Sequence, residues 1–183
     1  TLPDLRRFVF ASSLAACRFP AAGQVLTEES APDGDHVYAV TKARGEALVR
    51  DAAAWFPVCI VRLAALYSDW CEYPPLYHFL DTWLSGAWNR RILGGRGRSA
   101  VPYLHVKDAM RFFAHVVDRA DALDRTEVLL ASGDGATSHQ ALFDAATRYW
   151  FGEDVRPWHV PRALCRPGMW ALRAAATACI GVG

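Results

Sequence analysis

Residues 7–13 read RFVFASS, a short apolar run with arginine before it and two serines after it. The run predicts a buried strand over residues 7–11, because short apolar runs between polar residues are typical of such strands. Residues 58–63 read VCIVRL and predict a second strand, of the continuous apolar kind found in parallel sheets covered on both faces. Ligands of open α/β sheets bind beyond the carboxyl ends of the strands, so Ser12 and Ser13 stand where a site is expected.

Helices and strands alternate along the rest of the chain. Between the two strands we predict a loop over residues 18–35 and a helix from about His36 to about Ala54. The later predictions are a loop over 69–75, a helix over 76–88, a flexible loop over 94–98, a strand over 103–106, a helix over 107–119, a strand over 127–131, a helix over 138–149 with Ser138 as its N-cap, an extended segment over 155–160 and a last helix from Pro161. This alternation is typical of an α/β domain with a largely parallel sheet.

Tyr38 and Lys42 lie four residues apart in the stretch HVYAVTK, residues 36–42. Residues with this spacing share one face of a helix. The chain has only two lysines, so composition does not readily explain the pairing. An ammonium close to a phenol favours the phenolate, and a tyrosine in such a pair can act as a general acid or base. The alternative is a surface helix that happens to carry one tyrosine and one lysine.

Composition excludes several classes of function. The chain is 52% hydrophobic and 21% charged, and its net charge of +1 gives no electrostatic reason to expect nucleic acid or an anionic membrane as partner. The five cysteines are widely spaced and form no zinc-binding pattern, which predicts reduced thiols in the cytoplasm, most of them small core residues. We expect no metal, no signal peptide and no membrane span.

A dinucleotide-binding domain normally begins with a strand, a glycine-rich turn and a helix that holds the pyrophosphate. No such unit occurs in the sequence, and the glycines of residues 94–97 follow no strong strand and open no helix. The first residue is Thr1 rather than Met, and the last residues read as an amphipathic helix that stops short. We therefore expect the chain to be a fragment of a longer protein.

Several blocks of sequence, in order, resemble the extended branch of the short-chain dehydrogenase/reductase family, which includes NAD-dependent sugar-nucleotide epimerases and dehydratases. The blocks are RFVFASS (7–13), TEESAP (27–32), YAVTKARGEALV (38–49), VRLAALYS (61–68), YLHVKDA (103–109) and EVLLASG (127–133). The resemblance covers nearly the whole chain. It implies a Rossmann-like, doubly wound parallel sheet that lacks its first strands, with a small C-terminal substrate region.

The same resemblance implies site residues and ligands. Tyr38 would be the general acid or base, Lys42 would tune it and hold the nicotinamide ribose, and Ser13 would hydrogen-bond the substrate oxygen or the phenolate. Ser12 and Ala64 would lie against the cofactor, NAD or NADP. The substrate would be a sugar nucleotide or another alcohol or carbonyl compound, and a homodimer is expected by analogy. Residues 1–68 would form the second half of the dinucleotide-binding sheet, and residues 69–183 the substrate region interleaved with the last strands.

The sequence also departs from the sugar epimerases. Ala65 stands where many of them have asparagine, and Val101-Pro102 stand where they have a diphosphate-binding arginine. Arg98 is close enough in sequence to be a candidate substitute, but we favour its interpretation as a solvated loop arginine. Two alternatives therefore remain open, a degenerate family member without catalysis and an inactive truncated fragment. Near the start of the helix at 107–119, we expect His105 to be a buried structural histidine and Asp108 to cap the helix.

Overall fold

The computed structural model describes residues 5–21, 23–161 and 163–164, and the chain is mixed α/β. Its strands are β1 (Phe8–Ser13), β2 (Val58–Leu63), β3 (Ala65–Tyr67), β4 (Ile92–Gly94), β5 (Ala100–Val101), β6 (Tyr103–His105), β7 (Thr126–Ala131), β8 (Thr137–Ser138) and β9 (Trp158–Val160). Its helices are α1 (Val37–Ala52), α2 (Pro74–Leu84), α3 (Val106–Asp118) and α4 (His139–Phe151), with a 3₁₀ turn at Leu14–Ala16. These elements form two compact units. The first unit contains the described residues up to 72 together with 102–135, and the second contains residues 73–101 together with the described residues from 136 onward.

The first unit is built on a parallel sheet of three strands in the order β1–β2–β7. The register pairs Ser13 with Leu63 and Leu63 with Ala131, so these three residues mark the carboxyl edge of the sheet. β3 and β6 form a second parallel pair in this unit. The predicted largely parallel α/β architecture is confirmed.

β2 is buried because helices cover both of its faces. Val58 and Ile60 pack in one apolar cluster with Val49 of α1. Cys59 and Val61 pack in another cluster with residues of α3. Successive side chains of a strand point to opposite faces of the sheet, so α1 and α3 lie on opposite faces. This is the doubly wound arrangement that the continuous apolar run predicts.

Two glycines allow the segment around α1 to lie close to its neighbours. A Cβ at Gly45 would come within 2.7 Å of Cζ of Phe10 on β1. A Cβ at Gly34, in the loop before α1, would come within 2.6 Å of Cβ of Ala39, while the Gly34 amide donates to the carbonyl of Ala16 at 2.9 Å. Distances this short exclude any larger residue without movement, so both glycines set how closely α1 packs.

The second unit has an apolar core of its own. Phe79 and Trp83 of α2 stack with their ring centroids 5.1 Å apart, and Trp83 meets Phe143 of α4 edge-on at 5.4 Å. Leu93 of β4 is buried in the same cluster. Two short strand pairs complete the unit, β4 with β9 in parallel and β5 with β8 antiparallel.

The predicted elements are confirmed with shifts at their ends. β1 continues through Ser13, whereas the sequence pattern ends it at residue 11, and it is not the buried strand predicted, since Phe8 and Ala11 are exposed. α2 begins at Pro74 and ends at Leu84, against a predicted span of 76–88. Gly94 belongs to β4 rather than to a loop. The two- and three-residue strands β3, β4, β5 and β8 have no counterpart in the predictions, because they are too short to show a periodicity. The helix predicted from Pro161 falls largely outside the described residues.

Two of the cysteines confirm the expectation of core thiols. Cys17 and Cys59 are both buried, and burial raises the pKa of the Cys59 thiol to about 11. That thiol therefore stays protonated and unreactive near neutral pH. Cys165 and Cys179 lie outside the described residues.

Across the described ranges, no helix is both long enough and apolar enough to cross a membrane. The same ranges contain no cluster of three or more His, Cys, Asp or Glu side chains that could hold a metal ion.

Candidate active site

The two serines at the end of β1 have different surroundings. The Ser12 side chain is buried, and its hydroxyl donates to Oε1 of Glu46 at 2.6 Å. Ser13 is half-buried, and its Oγ accepts the amide N–H of Ala15 at 3.2 Å. Neighbouring residues of a strand point to opposite faces, which explains why the two hydroxyls differ. The roles given to Ser12 and Ser13 from the resemblance stay predictions.

His36 determines where α1 begins. Its Nδ1 accepts the amide N–H of Ala39 at 2.9 Å, which satisfies one of the free donors of the first turn. The imidazole also meets the ring of Tyr38 edge-on, with centroids 6.3 Å apart. The cap fixes the first turn of α1, and Tyr38 lies on that turn.

Tyr38 and Lys42 share one face of α1, as the four-residue spacing predicts. Nζ of Lys42 donates to the carbonyl oxygen of Ala11 at 2.9 Å. It also lies 5.8 Å from the ring centroid of Tyr38 and 5.5 Å from that of Phe10. The Tyr38 side chain is 53% exposed and therefore accessible to a ligand. The structure thus brings Tyr38 and Lys42 together beside the carboxyl end of β1.

Ala64 lies at the same edge of the sheet. It follows Leu63, the β2 residue paired with Ser13. It is buried, and its amide donates to the carbonyl of Ala131 at 2.9 Å. Its side chain packs in an apolar cluster with Leu104 and Ala131, and its contact with a cofactor stays a prediction.

Sequence reasoning missed a buried ion pair beneath these residues. Arg62 of β2 donates from Nε to Oε1 of Glu46 at 3.0 Å and from Nη2 to Oε2 at 2.8 Å, and both side chains are fully buried. Burial acts to raise the pKa of Glu46, but the hydrogen bonds from Arg62 and Ser12 and the charges of Arg62 and Arg50 outweigh it, so the pKa is lowered. The signal in the sequence was an arginine inside an otherwise apolar strand, with a glutamate one turn after Lys42.

The lowered pKa of Glu46 predicts a loss of stability in acid. A carboxyl group whose pKa is lower in the folded state contributes stability above its unfolded value, near ~4.3, and this stability is lost as the pH falls through the folded value. We expect the free energy of unfolding, measured by urea titration, to fall below about pH 4.3. Replacing Glu46 by Gln should flatten this dependence, whereas replacing the exposed Glu153 by Gln should leave it unchanged. An equal pH dependence in wild type and Glu46→Gln would contradict the prediction.

At the start of α3, the expectation that Asp108 caps the helix is wrong. His105 is the N-cap, because its Nδ1 accepts the amide N–H of Lys107 at 3.1 Å. Its Nε2 lies 3.1 Å from Oδ1 of Asp69, so both ring nitrogens have partners, as expected, but the residue is half-buried rather than buried. Asp108 instead lies within the first turn and pairs with Arg111 at 2.8 Å.

Each unit contains a cavity. In the first unit, one of about 190 Å³ opens beside the start of α1 and is lined by Ala15, Cys17, Arg18, Phe19, Gly34, Asp35 and His36. In the second unit, one of about 580 Å³ is lined by Gly94, Gly95, Arg96, Arg98, Ser99, His159 and Pro161. The second lining contains two arginines and no carboxylate, so its charge suits an anionic group.

Several solved enzyme structures share the fold of this chain. UDP-glucose 4-epimerase of Thermus thermophilus, crystallised with NAD, has a TM-score of 0.64 and 17% identity over 85% of this chain and 51% of its own. dTDP-glucose 4,6-dehydratase of Bacillus anthracis, also with NAD, has a TM-score of 0.67 and 18% identity over 85% and 49%. RMD of Pseudomonas aeruginosa, with NADPH, has a TM-score of 0.65 and 14% identity over 85% and 55%. These similarities confirm the Rossmann-like fold class.

The sequence model described as the NAD dependent epimerase/dehydratase family matches residues 2–131. The chain therefore belongs to that family, as the resemblance of its motifs indicated. It spans about half the length of the solved structures that it matches. The curated protein sequences contain no match to it.

Proposed function

We propose that the protein containing this chain is an NAD(P)-dependent epimerase, dehydratase or reductase that acts through Ser13, Tyr38 and Lys42. Its substrate would be a sugar nucleotide or another alcohol or carbonyl compound. The observation that carries the proposal is the position of the Lys42 ammonium, between the Ala11 carbonyl and the ring of Tyr38. Family membership and the cofactors of the solved neighbours support it.

The residues at this edge fit the nicotinamide end of a dinucleotide. An ammonium has three donors, and one of those on Lys42 is directed to the Ala11 carbonyl, which leaves others for ribose hydroxyls. Tyr38 is accessible from solvent. A bound nicotinamide would accept a hydride from the substrate, or return one to it.

The chain's own residues would handle the proton. The phenolate of Tyr38 would take the proton of a substrate hydroxyl during oxidation, and the resulting phenol would return a proton during reduction. Lys42 would favour the phenolate by its charge and orient the ribose. The Ser13 oxygen already accepts from Ala15, so its hydroxyl proton is left to donate to the reacting oxygen of the substrate.

The remaining parts of the proposal concern substrate and compartment. In the second unit, Arg96 and Arg98 supply positive charge to a cavity that lacks a carboxylate, which suits an anionic part of a substrate.

The described cysteines, Cys17, Cys59 and Cys71, are free thiols, in keeping with the cytoplasm as compartment. The homodimer stays a prediction.

Replacing Lys42 by Met in the full-length protein tests the cofactor assignment. We expect binding of NAD⁺ or NADP⁺, measured by calorimetric titration, to weaken roughly 10- to 150-fold, which corresponds to a lost charge-assisted hydrogen bond of about 1.5–3 kcal/mol. The matched control is Lys107→Met, because Lys107 is the other lysine of the chain and its Nζ pairs with Asp69 instead. Equal affinities of wild type and Lys42→Met for both dinucleotides would refute the assignment.

A further inference from the structure

Glu46 and Arg62 form a fully buried, two-pronged ion pair between α1 and β2. The carboxylate also accepts the hydroxyl of Ser12 on β1 at 2.6 Å, and the guanidinium donates from Nη1 to the carbonyl of Ser30 at 2.7 Å. One network thus joins a helix, two strands and the loop that precedes the helix. The role proposed above for Tyr38, Lys42 and Ser13 makes no use of it.

Stability alone gives no reason for this pair. Removing two charges from water costs about as much as their attraction returns, so well-packed apolar side chains of similar volume are often as stable or more stable. A buried network with all its partners satisfied does, however, fix the relative position of the elements that it joins. The role of Glu46 and Arg62 therefore depends on which elements they hold in place.

The network is anchored next to the candidate active site. Glu46 lies one turn after Lys42 and two turns after Tyr38, so the three residues form one stripe along α1. Lys42 reaches the carbonyl of Ala11, and Glu46 reaches the side chain of the next residue, Ser12. Two successive turns of the helix are therefore tied to two successive residues of β1.

The other end of the network reaches the loop before α1. The carbonyl of Ser30 accepts from Arg62, and the same loop continues to His36, the N-cap of α1. The first turn of α1, which carries Tyr38, is thus held from the loop by Arg62 and from the helix by Glu46.

We propose that Glu46 and Arg62 are positioning residues, which hold α1 in the position where the Lys42 ammonium meets the Ala11 carbonyl beside Tyr38. The catalytic part of this assignment rests on the function proposed above. The geometric part concerns only this chain and is tested without substrate or cofactor.

The test removes both charges and follows the ammonium of Lys42. In the double variant Glu46→Met/Arg62→Met no buried charge is left without a partner, and the volume stays similar. In full-length protein labelled with ¹³Cε-lysine, the signals of Lys42 and Lys107 are identified by their loss in Lys42→Arg and Lys107→Arg. We expect the Lys42 signal of the folded double variant to move towards that of a solvated lysine, while the Lys107 signal stays in place. We also expect kcat to fall at least 10-fold with little change in KM.

Ser12→Ala serves as a second variant should the double variant fail to fold, because it deletes only the Ser12–Glu46 hydrogen bond. It should shift the Lys42 signal in the same direction by a smaller amount. An unmoved Lys42 signal in a folded double variant, or in Ser12→Ala where the double variant does not fold, overturns the proposal. If the wild type is inactive and the Lys42 signal nevertheless shifts in the variants, the proposed function is refuted and the positioning role stands.

Discussion

Tyr38→Phe is expected to lower turnover about 10²- to 10⁴-fold, the usual contribution of a positioned general acid or base. The substitution removes one oxygen, and Tyr38 is 53% exposed on the first turn of a capped helix, so the fold should tolerate it. Affinity for the dinucleotide should change little, because the ammonium of Lys42 remains. The measurement is steady-state turnover of the full-length protein with a panel of sugar nucleotides and simpler alcohols and carbonyl compounds, alongside a binding titration.

The matched control is Tyr149→Phe, which removes the same atom from a side chain that is 90% exposed in the second unit. It should leave turnover unchanged. Undiminished turnover in Tyr38→Phe would rule out the proposed chemistry. Binding of a dinucleotide with no turnover by the wild type on any member of the panel would favour the degenerate, non-catalytic alternative.

Arg62→Met is expected to lower the free energy of unfolding by about 3–5 kcal/mol, because it leaves a buried carboxylate without its partner. Glu46 would keep only the hydroxyl of Ser12 at 2.6 Å and the more distant guanidinium of Arg50 at 3.8 Å. The Ser30 carbonyl would also lose the guanidinium of Arg62 and keep only the thiol of Cys17, at 3.8 Å, as a donor. Urea titration near pH 7 measures the effect, since Glu46 is ionised there.

Arg50→Met provides the comparison. Arg50 faces the same carboxylate, but its side chain is 40% exposed, and ion pairs of that kind contribute about 0–1 kcal/mol. The two variants therefore distinguish the stability contributed by the buried Glu46–Arg62 pair from that contributed by any positive charge near Glu46. Equal losses in Arg62→Met and Arg50→Met would show that the pair is not the feature that matters.

The parts of the fold that could be predicted depend on local pattern. The apolar run at Val58–Leu63 is covered on both faces, and a parallel strand of this kind is almost uniformly apolar in sequence. The spacing of Tyr38 and Lys42 places them on one helix face whatever packs around them. Ser138 caps α4 as predicted, because its Oγ accepts from the amide of Ala141.

The parts that could not be predicted depend on contacts between distant residues. Glu46 and Arg62 are separated by 16 positions, and only the packing of α1 against β2 brings them together. Histidine is a less common cap than aspartate, which explains why the sequence favoured Asp108 over His105 at α3. The opposite surroundings of Ser12 and Ser13 follow from the continuation of β1, which the apolar pattern ends at residue 11.

A crystal structure of the full-length protein with bound oxidised dinucleotide would locate the nicotinamide relative to Tyr38 and Lys42. We expect the nicotinamide at the carboxyl ends of β1 and β2, with Nζ of Lys42 about 3 Å from the ribose hydroxyls. Oη of Tyr38 should face the space that the substrate occupies in front of the nicotinamide ring. A dinucleotide bound elsewhere, or a nicotinamide out of reach of both Tyr38 and Lys42, would contradict the proposed site.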